Sequence, residues 1–397
     1  MNRAKFRLIL LKTSEITNVR IFRMNLLKLL LACALTTNML STSLLAQDAI
    51  DIGKVGESPY EVVTYWAEPF AEKGFAFGGA SGVLSDHPGR LIVSQRGETR
   101  IPLDVPRDFH GFAGELGISV LTEEERRTWQ NCIFILDANG KVVDIWDHLD
   151  YLCEGAEGPG PERIRVSPYD PERKLWIINQ THHQIYVISN DGSELLATYG
   201  EKGMPGEDAT HYGSPQDVAF MPDGRILVAD GLINNRVVVY DNEMNYLTEF
   251  GTEGTVPGGT NGIHSLSIGP EGRIFVLDRS GYGVNIWRTG ESYTDFYFER
   301  RIDISGMALD VIVNKNDFWM TAHNPLRFIN FDFEGNQKYT WLVPAELPDG
   351  FREVHSFSVS SEGIMYGGDN IYGRPQKWIA KPGATSDLLI EPPWVGY

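Results

Sequence analysis

The sequence predicts an all-β protein, a six-bladed β-propeller with insertions in its first blade. Short runs rich in β-branched and aromatic residues alternate with turn residues, which indicates strands. Turns of the Pro-Asp-Gly type join the runs in pairs. The whole pattern recurs with four strands per unit at a period of roughly 40 to 50 residues, which is typical of a propeller.

The repeat units follow one another along the chain. The clearest copy is SPQDVAFMPDGRILVADGLINNRVVVYDNEMNYLTEFG, residues 214–251, and the next begins with GIHSLSIGPEGRIFVLDR, residues 262–279. An upstream copy covers residues 161–200. Weaker copies begin at Gly82, near Gly306 and at His355. Together these copies make six units.

The last unit contains three strand-like runs and then ends. The run YEVVTYWA, residues 60–67, precedes the first unit and is available as a fourth strand. Such pairing would close the ring of blades and leave no exposed sheet edge.

Two long connections interrupt the period near the first unit. Residues 98–131 form an insertion that contains the helix-like stretch LTEEERRTW, and residues 147–160 form a second long connection. Loops of this length in a compact domain are usually lids, binding loops or spacers.

The first 46 residues differ from the rest of the chain. A basic region of net charge +6 precedes an apolar run, Leu29–Leu45, and Ala46 stands before the polar QDAID. This pattern predicts a secretory signal peptide over residues 1–46, with a possible start at Met24. An N-terminal membrane anchor is the alternative. Residues 47–59 are then a linker and residues 60–397 the propeller, in a periplasmic or secreted protein.

The charge of the chain limits its partners. The formal net charge of −18 becomes −24 once the +6 segment is removed. This acidic balance argues against nucleic acid and anionic membranes, and it suits an exported protein or one that binds cations. We expect a monomer without a membrane span in the mature chain, acting on a small-molecule or peptide substrate.

Two cysteines remain after the signal segment, Cys132 and Cys153. In an oxidising compartment they are free to form a disulfide across a modest loop, and two thiols are the equal alternative. Their spacing does not match a metal-binding CxxC pattern.

Propeller geometry brings specific positions together. In a four-stranded up-and-down blade, the start of the first strand and the end of the second strand lie at the same mouth of the central channel. First-strand starts carry Glu162, Gln216 with Asp217, His264 and His355. Second-strand ends carry Arg96, Asn179, Asp230, Arg279, His323 and Asp369.

Within this set, two histidines share one context. His264 lies in IHSLSI and His355 in VHSFSV, at equivalent blade positions. With Glu162 they offer two imidazoles and a carboxylate, a ligand set for a metal with one open position. Arg96 and Arg279 would bind a carboxylate or stabilise an oxyanion. The alternative is a pair of solvated channel histidines, and Asp230, Asp278 and Asp369 are expected to fasten turns.

At these residues the chain resembles the NHL-repeat propellers, and most closely the peptidyl-α-hydroxyglycine α-amidating lyase family. The resemblance spans about residues 81–369 and is strongest over DVAFMPDGRILVADGLINNRVVVYD and GIHSLSIGPEGRIFVLDR. It implies a six-bladed propeller with a channel zinc held by three histidines. It also implies an arginine pair and a tyrosine near the zinc, and a structural calcium.

The resemblance assigns residues one at a time. His264 and His355 match two of the zinc histidines, and Arg279 and Arg96 match the arginine pair. Three positions depart from the family: Glu162 replaces the first zinc histidine, Leu232 replaces the tyrosine, and Ser356 replaces an acidic calcium contact.

These departures leave three functions open. The first is a zinc-dependent lyase in which Tyr282 or Tyr372 substitutes for the lost tyrosine as proton acceptor. The second is a non-catalytic periplasmic propeller that binds a ligand or a protein. The third is a gluconolactonase-like hydrolase, which Glu162 and Asp217 favour weakly as acidic channel ligands.

Overall fold

Short antiparallel strands make up almost all of the regular structure. The computed structural model describes residues 53–102, 104–121, 124–155, 158–345 and 350–396, which belong to one compact unit. The predicted signal peptide, residues 1–46, lies outside the described residues, as does the start of the predicted linker, residues 47–59.

Six four-stranded antiparallel sheets dominate this unit, and we number them 1 to 6 along the chain. In each sheet, neighbouring strands follow one another along the chain, with two exceptions: the closing strand of sheet 6, and sheet 1, where the strands Glu98–Arg100 and Arg127–Thr128 lie between the second and third strands in the sequence. Sheet 1 contains Ala80–His87, Arg90–Gln95, Ile133–Asp137 and Val142–Ile145. Sheet 2 contains Pro161–Val166, Leu175–Asn179, Gln184–Ile188 and Leu195–Tyr199. Sheet 3 contains Pro215–Phe220, Ile226–Asp230, Arg236–Tyr240 and Tyr246–Phe250. Sheet 4 contains Ile263–Ile268, Arg273–Asp278, Gly283–Thr289 and Phe296–Asp303. Sheet 5 contains Ala308–Val313, Phe318–Ala322, Arg327–Phe331 and Gln337–Leu342. Sheet 6 contains Ser356–Val359, Met365–Asp369, Arg374–Ala380 and Tyr60–Val62.

The N-terminal strand of the described chain closes sheet 6, as the sequence predicts. Tyr60 pairs with Ala380 and Val62 with Trp378 in antiparallel register. This closing strand ends at Val62 and is therefore shorter than the predicted run 60–67. The amide of Lys381 also donates to the carbonyl of Pro59 at 2.9 Å.

The first strands of the six sheets contact one another in a closed ring around a central channel. Side chains of the ring also hydrogen-bond to backbone amides of the next sheet. Leu266 N donates to Asp217 Oδ2 at 2.9 Å, and Phe357 N donates to Asp310 Oδ2 at 3.0 Å. The predicted fold class, an all-β propeller, is confirmed.

An apolar cluster fills each gap between neighbouring sheets. Between sheets 4 and 5, for example, Phe275 and Leu277 pack with Phe318 and Met320, all of them buried. These residues alternate along their strands with side chains of the opposite face, as a doubly covered sheet requires. Burial of this apolar surface supplies most of the driving force that holds the blades together.

The turns within the sheets follow the chemistry of their sequence. In the turn MPDG, Gly224 N donates to Met221 O at 3.0 Å, and the positive φ of Gly224, 93°, is a conformation that glycine adopts without strain. This turn pairs the first and second strands of sheet 3 and fixes their register.

The insertion in sheet 1 does not contain the helix expected in LTEEERRTW. Glu124–Arg126 form one 3-10 turn, and Arg127–Thr128 form a strand that pairs with Glu98–Arg100. That strand pairs in turn with Phe75–Phe77, which makes a small three-stranded sheet. Tertiary pairing and the stacking of Arg127 on Trp129, at 4.3 Å, override the local helix propensity.

The remaining short elements lie in connections. They are a parallel pair, Thr252–Glu253 with Gly259–Thr260, and 3-10 turns at Ala113–Leu116, Asp147–Leu152, Pro270–Gly272 and Ser386–Leu388. Among the described residues, no helix has the length and apolar character needed to cross a membrane.

Cys132 and Cys153 are both buried as free thiols in the structure. The hydrogen bond with Cys153, together with burial, raises the pKa of Cys132 well above its ordinary value. The structure therefore contains the thiol alternative of the two that the sequence leaves open.

Candidate metal centre and binding cavity

A β-bulge recurs at the start of the first strand in sheets 1 to 5. At each bulge the pairing with the second strand skips one residue, and the skipped residues are Ser81, Glu162, Gln216, His264 and Leu309. A bulge leaves one residue unpaired and changes the direction of its side chain. His355 stands at the corresponding place in sheet 6, next to Ser356. We call these six residues the mouth ring.

The mouth ring brings together the three predicted metal ligands. One ligand atom each of Glu162, His264 and His355 lies within 4.8 Å of the others, and all three residues are buried. Nε2 of His264 is 3.1 Å from Glu162 Oε1, and Nε2 of His355 is 2.8 Å from the same oxygen. The two imidazole rings are nearly perpendicular, with an interplanar angle of 81°.

Two of the other three members of the mouth ring, Leu309 and Ser81, fix the orientation of the imidazoles. His264 Nδ1 is 2.6 Å from the carbonyl oxygen of Leu309, and His355 Nδ1 is 2.9 Å from that of Ser81. A carbonyl oxygen only accepts, so Nδ1 of His355 carries the proton. Nδ1 of His264 is 2.6 Å from Leu309 O and 3.1 Å from Arg163 Nη2, and the shorter contact with the acceptor assigns the proton to this Nδ1 as well. Each Nε2 therefore directs its lone pair towards Glu162, as in metal sites whose histidines are held by backbone carbonyls.

Two lone pairs and a carboxylate oxygen at these distances repel one another unless a cation lies between them. Glu162 Oε1 makes no well-formed hydrogen bond, although it is fully buried. Two imidazole nitrogens and one carboxylate oxygen form a donor set that suits zinc. The three residues therefore fit the metal that the sequence predicts.

The charges agree with this reading. Burial raises the pKa of Glu162, but His355 and Arg96 outweigh burial and hold it well below its ordinary value. Burial lowers the pKa of His264 to about 4, and it also lowers the pKa of His355. The group at neutral pH is a carboxylate with two neutral imidazoles, which is the protonation state that binds a metal.

A cavity of about 340 Å³ opens beside the three ligands. Both long connections of sheet 1 reach it, because Leu121 lies in the insertion 98–131 and Pro159 in the connection 147–160. The lining residues are Arg96, Leu121, Pro159, Glu162, Gln180, Gln216, Leu232, His264, Arg279, Glu353, His355 and Asn370. The prediction that these connections open on the same face as the ligands is thereby met.

The two predicted arginines both line the cavity, with different partners. Arg96 Nη2 is 2.7 Å from Glu162 Oε2, and Gln180 donates to the same oxygen. Arg279 also lines the cavity, and among the described residues its Nε has no hydrogen-bond partner. Arg96 binds Glu162 through Nη2, but its Nε is likewise unpartnered in the described part of the chain, so both arginines retain a donor for a ligand.

The predicted tyrosines do not line this cavity. The side chain of Tyr282 is 49% exposed and lies outside the lining. Tyr372 packs against Gly114 of the insertion instead. The structure therefore brings Arg96, Arg279 and the three ligands together, but not Tyr282.

Glu353 is the lining residue that sequence reasoning missed. Its side chain is buried, its Oε2 has no hydrogen-bond partner among the described residues, and burial raises its pKa. Arg96, His264 and Arg279 act in the opposite direction and lower that pKa. A usable signal existed in the sequence, because Glu353 stands two residues before His355 in the connection that enters the channel mouth.

Two amides add unpaired acceptors to the lining. Gln216 Oε1 and Asn370 Oδ1 are buried without partners. Gln216 holds the same bulge position as Glu162 and His264, and Asn370 follows the second strand of sheet 6. The cavity wall therefore offers both donors and acceptors to a polar ligand.

The aspartates at the second-strand ends fasten connections, as predicted. Asp230 accepts from the amides of Gly213 and Ser214 at 2.8 and 3.1 Å. Asp369 accepts from three amides, including that of Arg352 at 2.7 Å. These carboxylates hold the loops that frame the mouth.

The chain has relatives among curated proteins, although no protein-family model matches it. It is 26% identical over 210 residues to a Caenorhabditis elegans protein named "Probable peptidyl-alpha-hydroxyglycine alpha-amidating lyase", covering 50% of this chain and 58% of the relative. It is 24% identical over 308 residues to peptidyl-glycine alpha-amidating monooxygenase B of Xenopus laevis, covering 74% and 33%. It is 24% identical over 169 residues to NHL repeat-containing protein 3 of Mus musculus, covering 40% and 46%.

These names are those of the families that the sequence resembles, so the resemblance is confirmed. The matched segments cover only about half of the nematode relative and a third of the frog relative. Among solved structures, a protein described as a gluconolactonase superposes with a TM-score of 0.52 at 11% identity, covering 83% of this chain and 93% of that protein. This likeness supports the fold alone.

Proposed function

We propose that this protein is an exported, zinc-dependent lyase that acts on a small or peptide-end substrate, as in peptidyl-α-hydroxyglycine cleavage. The observation that carries the proposal is the buried group Glu162, His264 and His355, with two imidazole lone pairs directed at one carboxylate oxygen. Zinc held there would polarise a substrate oxygen as a Lewis acid.

The arginines supply recognition of an anionic end. Arg279 has an unpaired Nε at the cavity wall, and the guanidinium of Arg96 lies next to Glu162. An arginine fork binds a carboxylate through two parallel hydrogen bonds. A substrate carboxylate on Arg279 would lie beside the metal ligands.

Glu353 supplies the missing proton acceptor. Cleavage of an α-hydroxyglycine amide breaks the bond between carbon and nitrogen, converts the hydroxyl carbon to a carbonyl and transfers a proton to the amide nitrogen. The hydroxyl proton therefore needs an acceptor in the cavity. The unpaired Oε2 of Glu353 takes this role in our proposal, in place of Tyr282.

Export rests on the sequence of residues 1–46 and implies a periplasmic or secreted location. The relatives named as amidating enzymes support a peptide substrate. A non-catalytic binding propeller remains the second candidate, because Leu232 lines the cavity where the family has a tyrosine. A gluconolactonase-like hydrolase is the third candidate, but Asp217, which favours it together with Glu162 in the sequence, is bound to Arg165 and does not line the cavity.

The test combines metal analysis with turnover. We expect one equivalent of zinc in the purified protein, loss of that zinc in His264→Ala, and retention in the control His211→Ala, which lies at the surface. A peptide ending in α-hydroxyglycine should be converted to the amide and glyoxylate. Metal-free protein would contradict the proposal, and bound zinc without turnover would favour the binding propeller or the lactonase.

A further inference from the structure

A second set of side chains lies directly below the mouth ring. The residue after each mouth-ring residue forms what we call the channel ring, whose members are Gly82, Arg163, Asp217, Ser265, Asp310 and Ser356. All of the side chains named in this ring are buried. Two carboxylates and one guanidinium therefore share the centre of the channel.

Arg163 is surrounded by oxygen atoms from three other sheets. Its Nη1 is 3.0 Å from Asp310 Oδ2, and its Nε is 3.6 Å from Asp217 Oδ2. Its Nη2 donates to the carbonyl oxygen of Leu309 at 2.7 Å, and its Nε donates to that of His264 at 3.4 Å. Carboxylate and carbonyl oxygens in such a cluster form the kind of ligand set that calcium prefers.

The surrounding residues are built around this arginine. Ser265 Oγ donates to Asp310 Oδ1 at 2.7 Å and lies 3.0 Å from Asp217 Oδ2, so it bridges the two carboxylates. At Gly82, a Cβ atom would lie 2.6 Å from Ser94 Oγ and 3.1 Å from Arg163 Cα. A side chain at position 82 would therefore displace the strand that carries Arg163.

The charges of the channel cancel without a metal. Arg165 binds both oxygens of Asp217, at 2.7 and 2.8 Å, and lies 3.5 Å from Asp310. Two arginines thus balance two aspartates. A divalent cation in this cluster would meet the guanidinium of Arg163 and leave an excess of positive charge in a buried site, which is costly. Ser356, where the resemblance implies an acidic calcium contact, donates its hydroxyl to Ser81 O at 2.8 Å.

We propose that the guanidinium of Arg163 is a built-in cation of the channel that takes the place of an exchangeable calcium ion. It also positions His264, because Arg163 Nη2 lies 3.1 Å from His264 Nδ1 and donates to the carbonyl oxygen of Leu309, to which that Nδ1 is also hydrogen-bonded. The structural role is independent of the proposed function. The positioning role rests on the proposed metal site.

Calcium titration of the full chain tests the structural role. For the wild-type protein we expect no bound calcium and no change of Tm with added Ca²⁺. Arg163→Ser should have a lower Tm that Ca²⁺ raises by several degrees, since the remaining oxygens become available to the ion. Adding Asp310→Asn to Arg163→Ser should abolish that rise. Stoichiometric calcium in the wild type, or a calcium-insensitive Arg163→Ser, would overturn the proposal.

A second pair of variants tests the role of the Arg163 charge if Arg163→Ser does not fold. Arg163→Met leaves Asp310 without its closest cation, whereas Arg163→Met with Asp310→Asn removes both charges. The double variant should therefore melt at least about 5 °C above Arg163→Met, because an unpaired buried carboxylate is strongly destabilising. Equal Tm values for the two variants would show that the charge of Arg163 is not what matters.

Zinc binding tests the positioning role. Arg163→Met should weaken zinc binding about tenfold or more, as expected when a group that orients a metal ligand is lost. Arg236→Met is the matched control, because Arg236 is equally buried and paired with Asp230 at 3.1 Å, but it contacts none of the three ligands. Equal zinc affinity in both variants would overturn the positioning role. Absence of zinc from the wild type would instead contradict the proposed function and leave the calcium result unaffected.

Discussion

The mouth ring and the channel ring lie one residue apart in the sequence and differ sharply in how their polar atoms are paired. In the mouth ring and the cavity beside it, Glu162, Gln216 and Glu353 each have a buried oxygen without a hydrogen-bond partner among the residues that the structure describes. In the channel ring, each carboxylate of Asp217 and Asp310 has side-chain and backbone partners.

This difference assigns the paired carboxylates of the channel ring to structure and the unpaired oxygens of the mouth ring and cavity to ligand binding. An unpaired buried polar group costs about 1–3 kcal/mol, so a fold rarely retains several in one place without a ligand. The channel ring, in which both carboxylates are fully partnered although Arg163 Nη1 meets Asp310 Oδ2 without hydrogen-bond geometry, holds the six sheets in register. The unsaturated mouth ring marks where a metal and a substrate are expected to bind.

Removing the carboxylate of the mouth ring should have the largest effect on metal binding and activity. Glu162→Gln should lower metal affinity and kcat/KM by more than about 100-fold, because even outer groups of a metal site are worth 10–100-fold. Isothermal titration with zinc and turnover of the α-hydroxyglycine peptide measure both effects. Glu98→Gln is the control, since Glu98 is also fully buried but lies in the small sheet of the insertion. Equal losses in both variants would refute the assignment of Glu162.

Removing a carboxylate of the channel ring should instead cost stability. Asp217→Asn leaves Arg165 without its bidentate partner, and we expect the free energy of unfolding to fall by about 3–5 kcal/mol. Urea denaturation measures this change. Zinc stoichiometry should remain at the wild-type value in the folded variant, and its loss would show that the two rings are not separable.

The donor side of the cavity can be tested at Arg279. Arg279→Lys keeps the charge but loses the planar fork, so KM for a substrate with a terminal carboxylate should rise about 10-fold while kcat changes little. A substrate that carries a carboxamide in place of the carboxylate should lose this sensitivity. If both substrates respond alike, Arg279 does not bind the carboxylate.

The smallest expected effect concerns a buried histidine outside both rings. Burial lowers the pKa of His182 to about 4 from the ordinary 6.5, and its Nδ1 contacts Tyr186 at 2.9 Å. The unfolded chain therefore binds a proton at a higher pH than the folded chain does. Stability from this group is present above pH 6.5 and is lost as the pH falls from 6.5 to 4, by up to about 2 kcal/mol at pH 5. His182→Gln should flatten this part of the stability curve in urea titrations at pH 7 and 5, and an unchanged slope would contradict the assignment.

Sequence reasoning was most successful where the repeat carries the information. Strand runs, turns and the closing strand follow from local patterns that recur, so the propeller and the convergence of Glu162, His264 and His355 were predictable. The helix expected in LTEEERRTW was not formed, because pairing of Arg127–Thr128 with Glu98–Arg100 depends on a strand far away in the chain.

The site shows the same limit. Tyr282 was selected from its position in the repeat, but its exposure depends on how the loop folds over the mouth. Glu353 lies in a connection without repeat pattern, and only the folded chain shows that its carboxylate lines the cavity. Loops lack the residue periodicity from which strands can be predicted.

The sequence by itself therefore determined the class of fold, the order of the blades and the three candidate ligand positions, because alternation and turn chemistry act over a few residues. Tertiary structure alone decided the bulges that turn Glu162 and His264 into the mouth, the carbonyls that orient the imidazoles, and the enclosure of Arg163 by Asp217 and Asp310. These features join residues from different sheets. They depend on closure of the ring of blades. Every blade contributes to that closure, and no local stretch of sequence encodes it.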